Sequence, residues 1–150
     1  MPEPRIRQPK KYDELFKTLI DDKDNSVFTS KAQVLLFAAA IGFNEGKRTP
    51  FKDQDSLEPI RMATFENLGQ NFQIVLNTLA VAETKDIKIL SPEKSDELIL
   101  IFEEYACTGL EVLKNRLKSQ HSQLDAIITM LSEQQAQGEK VEDDVLSYFQ

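Results

Sequence analysis

Ten consecutive residues without a polar side chain, Val34 to Phe43 (VLLFAAAIGF), constrain this chain more than any other stretch. A helix that is apolar all round has to be covered on nearly every side, so the remaining segments must wrap it. Ala38, Ala39 and Ala40 favour helix over strand and let neighbouring helices come close. Thr29 or Ser30 supplies the N-terminal cap, accepting a hydrogen bond from a backbone N–H that lacks a helical partner. Gly42 and the Asn44-Glu45-Gly46 triplet read as the stop, because Gly and Asn accept the left-handed conformation that ends a helix. Lys47 and Arg48 follow at once, two cations set against the exposed carbonyls of the helix end. The expectation is a central helix with a basic corner at its exit.

What surrounds that helix is bounded by composition. A chain of 150 residues has room for one domain with a real core, and 41% hydrophobic with 29% charged residues is ordinary for a soluble globular protein. The single cysteine, Cys107, excludes an internal disulfide framework and a cysteine-rich metal site. The opening MPEPRIRQPKKY holds no apolar segment of the secretory kind, and ten apolar residues are too few to span a bilayer. A soluble, cytoplasmic protein with no membrane contact is expected. Net charge is −7, unevenly spread: residues 1–61 hold 11 cations against 10 anions, and residues 62–150 hold 7 against 15. Overall acidity argues against wholesale coating of DNA, while the asymmetry directs the search for anionic partners to the first half.

Taken in order, residues 1–10 carry prolines at 2, 4 and 9 with Arg5, Arg7 and Lys10 between them, and read as an extended basic arm. Tyr12, Leu15, Phe16, Leu19 and Ile20 form an apolar stripe at helical spacing. After Pro50, the segment 51–58 reads as a polar loop, Ile60 to Leu68 as a short helix, and Gln70 to Thr84 as a helix on periodicity. Asp86 to Leu90 alternates briefly but has no evident partner strand, so it reads as an extended connector. Ser91-Pro92 opens a long helix whose apolar face runs from Leu98 to Leu117. Gly109 inside it costs about 1 kcal/mol relative to Ala, which points to another helix backbone passing close there. The pattern continues through Leu124, Ile127, Ile128 and Leu131 until Gly138 ends it, and 141–150 reads as a terminal helix packed back on the domain or onto a partner. The expected fold is an all-α single domain: an arm at 1–10, a core of four to five main helices at 11–118 with orthogonal packing, and a helical C-terminal extension at 119–150.

Catalytic constellations are scarce. His121 sits in a polar run with no second ligand nearby, which suits a solvated histidine better than a metal site. Cys107 lacks an adjacent activating base and reads as a small buried filler. Glu103 and Glu104 are neighbours on a helix, diverge by about 100° and cannot form one acid–base pair. For Glu104 a solvated helix face is favoured over a pairing with a basic group from the first half. No phosphate loop, nucleophile elbow or HExxH motif is present. The reading is therefore of a non-enzyme without catalytic residues, metal or cofactor. The basic set remains: Arg5, Arg7, Lys10, Lys11, Lys47, Arg48 and Arg61 are the candidates for contacting DNA or a partner protein. The ordinary alternative is solubilising charge, since Asp13, Glu14, Glu45 and Asp53 are interspersed.

Three stretches, RIRQPKKYDELFKTL from Arg5, FTSKAQVLLFAAAIGFNEGKRTPF followed by EPIR at 58–61, and IFEEYACTGLEVL at 101–113, together resemble one family. It comprises the small proteins associated with the bacterial Dnd system, the genes of DNA phosphorothioation and their linked restriction genes. The likeness covers about residues 5 to 117. It implies an accessory role in modification-dependent defence, with other proteins of the system as partners and DNA as a further one. The alternative from a different class is a helical interaction module without DNA contact, forming a homodimer through the long helix.

Overall fold

The computed structural model describes residues 4–21, 27–118 and 125–133. In chain order its main elements are β1 (Arg5–Pro9), α1 (Asp13–Asp21), α2 (Lys31–Glu45), β2 (Ser56–Arg61), α3 (Met62–Glu66), α4 (Gln70–Thr84), α5 (Ser95–Lys118) and a helix α6 over 125–133. It is an all-α bundle with one small two-stranded sheet. His121 and the segment 134–150, which contains Gly138 and the expected terminal helix, lie outside the described residues.

Of the two candidate caps of α2, Ser30 is the one used. Ser30 Oγ accepts from the Gln33 N–H at 3.3 Å, and the Gln33 side chain in turn accepts from the Thr29 N–H at 2.8 Å, so two otherwise unpartnered donors are satisfied. Gly46 ends the helix with φ +71°, and its N–H reaches the carbonyls of Gly42 and Phe43. Gly42, by contrast, is no part of the stop. It lies inside α2 where α5 crosses, and a Cβ there would fall 1.9 Å from the Tyr105 carbonyl oxygen. Gly109 answers it from α5: a Cβ there would fall 1.7 Å from the Ala38 carbonyl oxygen. As α2 runs from 38 to 42, the facing positions on α5 run from 109 to 105, so the two helices pass antiparallel with their backbones in contact. This is the close approach that Gly109 implied.

The remaining helices cover this pair. Phe65 of α3, Phe72 of α4 and Phe102 of α5 meet in a fully buried aromatic cluster, with ring centroids 4.9 to 5.9 Å apart and two of the three contacts edge-to-face. Phe16 and Leu19 bring α1 onto the same core. On α6 the buried residues are Ala126, Ile127 and Met130, whereas Ile128 and Leu131 are half exposed. Of the apolar stripe expected at 124, 127, 128 and 131, Leu124 lies outside the described residues and the remainder is rotated, because α6 meets the bundle along 126, 127 and 130.

The sheet departs from the sequence reading. β1 pairs antiparallel with β2: Arg5 with Arg61, Ile6 with Ile60, Gln8 with Leu57 and Pro9 with Ser56. Between these pairs Glu58 and Pro59 stand opposite Arg7 alone, a bulge at which the missing proline N–H breaks no ladder bond. Of the expected arm, Arg5–Pro9 is extended, as a strand of the sheet; much of the segment read as a polar loop is its partner strand, and α3 starts at Met62 because Ile60 and Arg61 belong to that strand. Ile87–Leu90 is a short 3₁₀ turn, begun by the Asp86 side chain accepting from the Lys88 N–H at 3.0 Å; this replaces the expected connector. Ser91 caps a second short turn, Pro92–Lys94, with no side-chain bond, and α5 begins only at Ser95.

The Gly42–Gly109 crossing generates a stability prediction. Gly42→Ala and Gly109→Ala each force backbone apart in the tightest part of the core and should each cost about 3 kcal/mol. Gly46→Ala, strained only by its positive φ, should cost about 1 kcal/mol. Urea unfolding midpoints check this order; equal losses at all three positions would mean that the crossing is not tight.

Candidate functional site

Consecutive carboxylates on α5 organise the polar part of the molecule. Because they diverge by about 100° around the helix, Glu103 and Glu104 face different neighbours, and each receives an arginine from the first half of the chain. Neither lies on a solvated face, and the pairing of Glu104 that was the less favoured reading is the one the structure adopts.

Glu103 is buried, 4% exposed. Its Oε2 accepts from the Arg7 backbone N–H at 2.6 Å, and its Oε1 accepts from Arg7 Nε at 3.1 Å and from a terminal guanidinium nitrogen at 3.0 Å. The other guanidinium nitrogen reaches the Phe51 carbonyl at 3.0 Å and Asp53 at 2.8 Å, and the cation stands 4.4 Å from the centre of the Phe51 ring. The bulge opposite Arg7 makes this geometry available, since the Arg7 N–H is turned off the ladder and onto α5. Burial raises the Glu103 carboxyl above its ordinary value, and the bonds from Arg7 only partly offset that rise.

Arg48, two residues beyond Gly46, holds the second carboxylate. Its Nε donates to Glu104 at 3.0 Å, and its two terminal nitrogens lie 2.9 Å from Glu104 and 3.0 Å from Glu83 of α4. The Tyr105 hydroxyl donates to the other Glu83 oxygen. Hydrogen bonds from Tyr105 and then Arg48 lower the Glu83 carboxyl below its ordinary value, while burial and Glu83 push Tyr105 up to about 12. The Thr49 N–H donates to the Glu104 carbonyl at 3.1 Å, and the Thr49 and Thr108 hydroxyls are 2.7 Å apart. Residues 47–53 are thereby stapled along α5. Cys107 is buried beside them and its thiol is pushed up to about 11, chiefly by burial, consistent with a filler and not with a nucleophile.

The seven candidate cations do not form one patch. Arg7 and Arg48 are held inside the fold by the carboxylates just described. Arg5 and Arg61 are exposed and directly opposed across the sheet, so their side chains share a face. Lys10 and Lys11, five and six residues on from Arg5, lie exposed in the turn after β1, and Lys47 is exposed at the exit of α2. Two surface clefts border this region. One, of about 820 Å³, contains Arg5 and Arg7 together with Asp96 and Glu103; the other, of about 470 Å³, contains Lys10, Lys11 and Lys52. Phe51, Lys52, Glu83 and Tyr105 are parts of this arrangement that the sequence reading passed over as site residues, and Asp53 was read there only as an interspersed acid. The one local signal was Glu83, an acid at the end of an apolar helical stripe. Among the described residues no group of three His, Cys, Asp or Glu could hold a metal ion, and no helix is long and apolar enough to cross a membrane.

With this geometry in view, the comparisons with known proteins can be stated. A family model described as DNA sulphur modification system-associated protein 4 matches residues 5–149, and the chain belongs to that family. The match runs past residue 117, where the likeness in the sequence stopped, so 118–149 share the family pattern as well. No curated protein and no solved structure matches the chain.

The staples have separable signatures. Arg7→Ala leaves the Glu103 carboxylate buried without its partner and should cost about 3 kcal/mol in urea unfolding. Glu83 is lowered, so its stabilising contribution is present above its ordinary value of 4.5 and is lost as the pH falls through its folded value. Glu103 is raised and has the opposite sign: its contribution is present below 4.5 and is lost as the pH rises through its folded value. Thermal unfolding followed below pH 4.5 should show a shallower acid loss in Glu83→Gln than in the native chain; an unchanged slope would remove Glu83 from the acid response.

Proposed function

We propose that this member of the DNA sulphur modification system-associated protein 4 family is a non-enzymatic accessory protein that acts by binding another protein of its phosphorothioation-dependent modification and restriction system. The family description supplies the link to the system. One observation carries the rest: the ionisable side chains gathered along α5 are engaged by partners in the same chain. Arg7 holds Glu103, Arg48 holds Glu104 and Glu83, and Tyr105 holds Glu83. A general acid or base needs a proton that exchanges near the operating pH, whereas Glu83 is held below its ordinary value and Tyr105 near 12. Such groups fix the shape of a surface. With Arg7 and Arg48 neutralised internally and a net charge of −7, that surface suits a protein better than a long phosphate backbone.

A second reading, direct contact with DNA, is favoured by the opposed Arg5 and Arg61, two guanidinium groups on one face of the sheet that can grip a phosphate between them. The two readings separate by salt. The chain, co-expressed with the other proteins of its system, is expected to co-purify with one of them at about 50 and about 200 mM salt alike, and to bind no labelled duplex, with or without phosphorothioate, at either. Duplex binding that weakens over that range and is lost in Arg5→Ala/Lys47→Ala/Arg61→Ala, without co-purification, would move the function to DNA. Turnover of nucleotide or DNA by the native chain that disappears in Glu83→Gln or Glu103→Gln would overturn the non-enzymatic reading.

A further inference from the structure

Between β1 and the segment after Pro50 lies a groove of about 470 Å³, with Pro9, Pro50 and Phe51 as its apolar part, Lys10, Lys11 and Lys52 on its rim, and Asp55 as its one acid. The three lysines are exposed, and none of them is in an ion pair among the described residues. Lys11 instead places its ammonium 5.1 Å from the centre of the Tyr12 ring, which the Lys114 ammonium also approaches, at 6.0 Å. The apolar part is fixed. Arg7 holds the Phe51 carbonyl at 3.0 Å and stands over the ring, and the Thr49 N–H ties the preceding residues to α5. Arg7 is not among the residues of the groove, so what the groove meets of Phe51 is the remaining surface of the ring.

Size, charge and donor geometry each narrow what can sit there. The volume falls within the roughly 300–1,000 Å³ of small-molecule pockets and is too small for a folded partner. Three unpaired ammonium groups against one acid call for an anion. Carboxylates in this chain are met differently: Glu103, Glu104 and Glu133 each receive two nitrogens of a single guanidinium. A planar fork matches a carboxylate, whereas separate ammonium point charges suit the oxygens of phosphate, which project in several directions. The fixed aromatic and proline surface adds an apolar platform on which a nucleobase can stack. A nucleic-acid strand brings one charge per nucleotide and would leave most of so compact a rim unmatched. A di- or triphosphate gathers several charges on one nucleoside.

We propose that this groove binds a nucleoside di- or triphosphate, with the base on Phe51 and the two prolines and the phosphates on Lys10, Lys11 and Lys52. The site is separate from the arginines that hold α5 and does not depend on the identity of a protein partner. Occupancy replaces an exposed positive rim by phosphate, so the loaded and empty chains present different surfaces on this side of the molecule.

ADP is a suitable probe, since stacking on an aromatic platform tolerates any base. Isothermal titration of the full chain is expected to show one ADP bound, with adenosine and pyrophosphate each weaker by about tenfold or more, because each lacks one set of contacts. Lys10→Gln/Lys11→Gln/Lys52→Gln should weaken ADP by about tenfold or more. Arg5→Gln, in the neighbouring cleft, should leave the affinity unchanged. The lysines are exposed, so the triple variant keeps the fold, which an unchanged urea midpoint checks. Phe51→Leu should weaken ADP more than pyrophosphate. Absence of binding at millimolar ADP would overturn the proposal, as would equal affinity in the lysine variant. Pyrophosphate bound as tightly as ADP would reduce the groove to a charge cluster with no nucleoside site. A phosphorylated single-stranded oligonucleotide, or a peptide rich in Asp and Glu, that binds more tightly than ADP and is lost in the lysine variant would assign the groove to a strand or to a protein segment instead.

Discussion

The structure depends on a contact without side chains. Where α2 and α5 cross, Gly42 lies against the Tyr105 carbonyl and Gly109 against the Ala38 carbonyl, at separations that no Cβ could occupy. Backbones this close leave no room for water, so the apolar residues flanking the crossing are buried on both helices, and together the two helices supply much of the core. Most of the ten-residue apolar run of α2 is covered by one long neighbour lying along it, with α1, α3 and α4 packed on other sides, while Leu36 and Phe37 are only partly buried and Ala40 and Phe43 stay exposed. The register of that contact then fixes the position of every polar group on α5.

The consecutive acids show how strictly. With Tyr105 held at Gly42, Glu103 has to face β1 and Glu104 has to face the segment that leaves α2. The buried carboxylate requires a cation with several well-placed donors, because removing charge from water is costly unless pairing and hydrogen bonds compensate. Arg7 meets this with its planar fork and its own backbone N–H. Arg48 does the equivalent for Glu104 while bridging to α4 through Glu83. The two-stranded sheet follows from the first of these pairs, for β1 is held on one edge by β2 and on the other by Glu103.

Local pattern carried the helices well and the long-range contacts poorly. The helix Gln70–Thr84 was legible from its apolar period alone, and the Ser30 cap and Gly46 stop of α2 were equally plain. Gly109 announced a close helix because a glycine mid-helix otherwise has a cost without a return. Gly42 was misread for want of the same argument: near a helix end, a glycine that serves packing looks like one that serves termination. The β1–β2 pairing joins residues some fifty positions apart through two prolines and a bulge, and no alternation in either strand signals it. The pairs of Arg7 with Glu103 and Arg48 with Glu104 span 96 and 56 positions, beyond any periodicity argument. Five of the candidate cations still stand at the surface, yet nothing local distinguished them from the two that the fold takes inward.

That distinction changes what the charge asymmetry means. Residues 1–61 carry a small positive excess and residues 62–150 a large negative one, which in the sequence points outward to an anionic partner. In the fold, the two arginines with the best donor geometry belong to the first part and the acids they hold, Glu83, Glu103 and Glu104, to the second. Part of the asymmetry is therefore the record of an internal attraction between the two parts of the chain. What remains exposed includes the three lysines, Lys10, Lys11 and Lys52, that rim one surface cleft. A charge imbalance between two segments reports on binding only after the pairs that close the fold have been subtracted, and here that subtraction divides the basic corner expected from the sequence into small, separate groups of exposed cations.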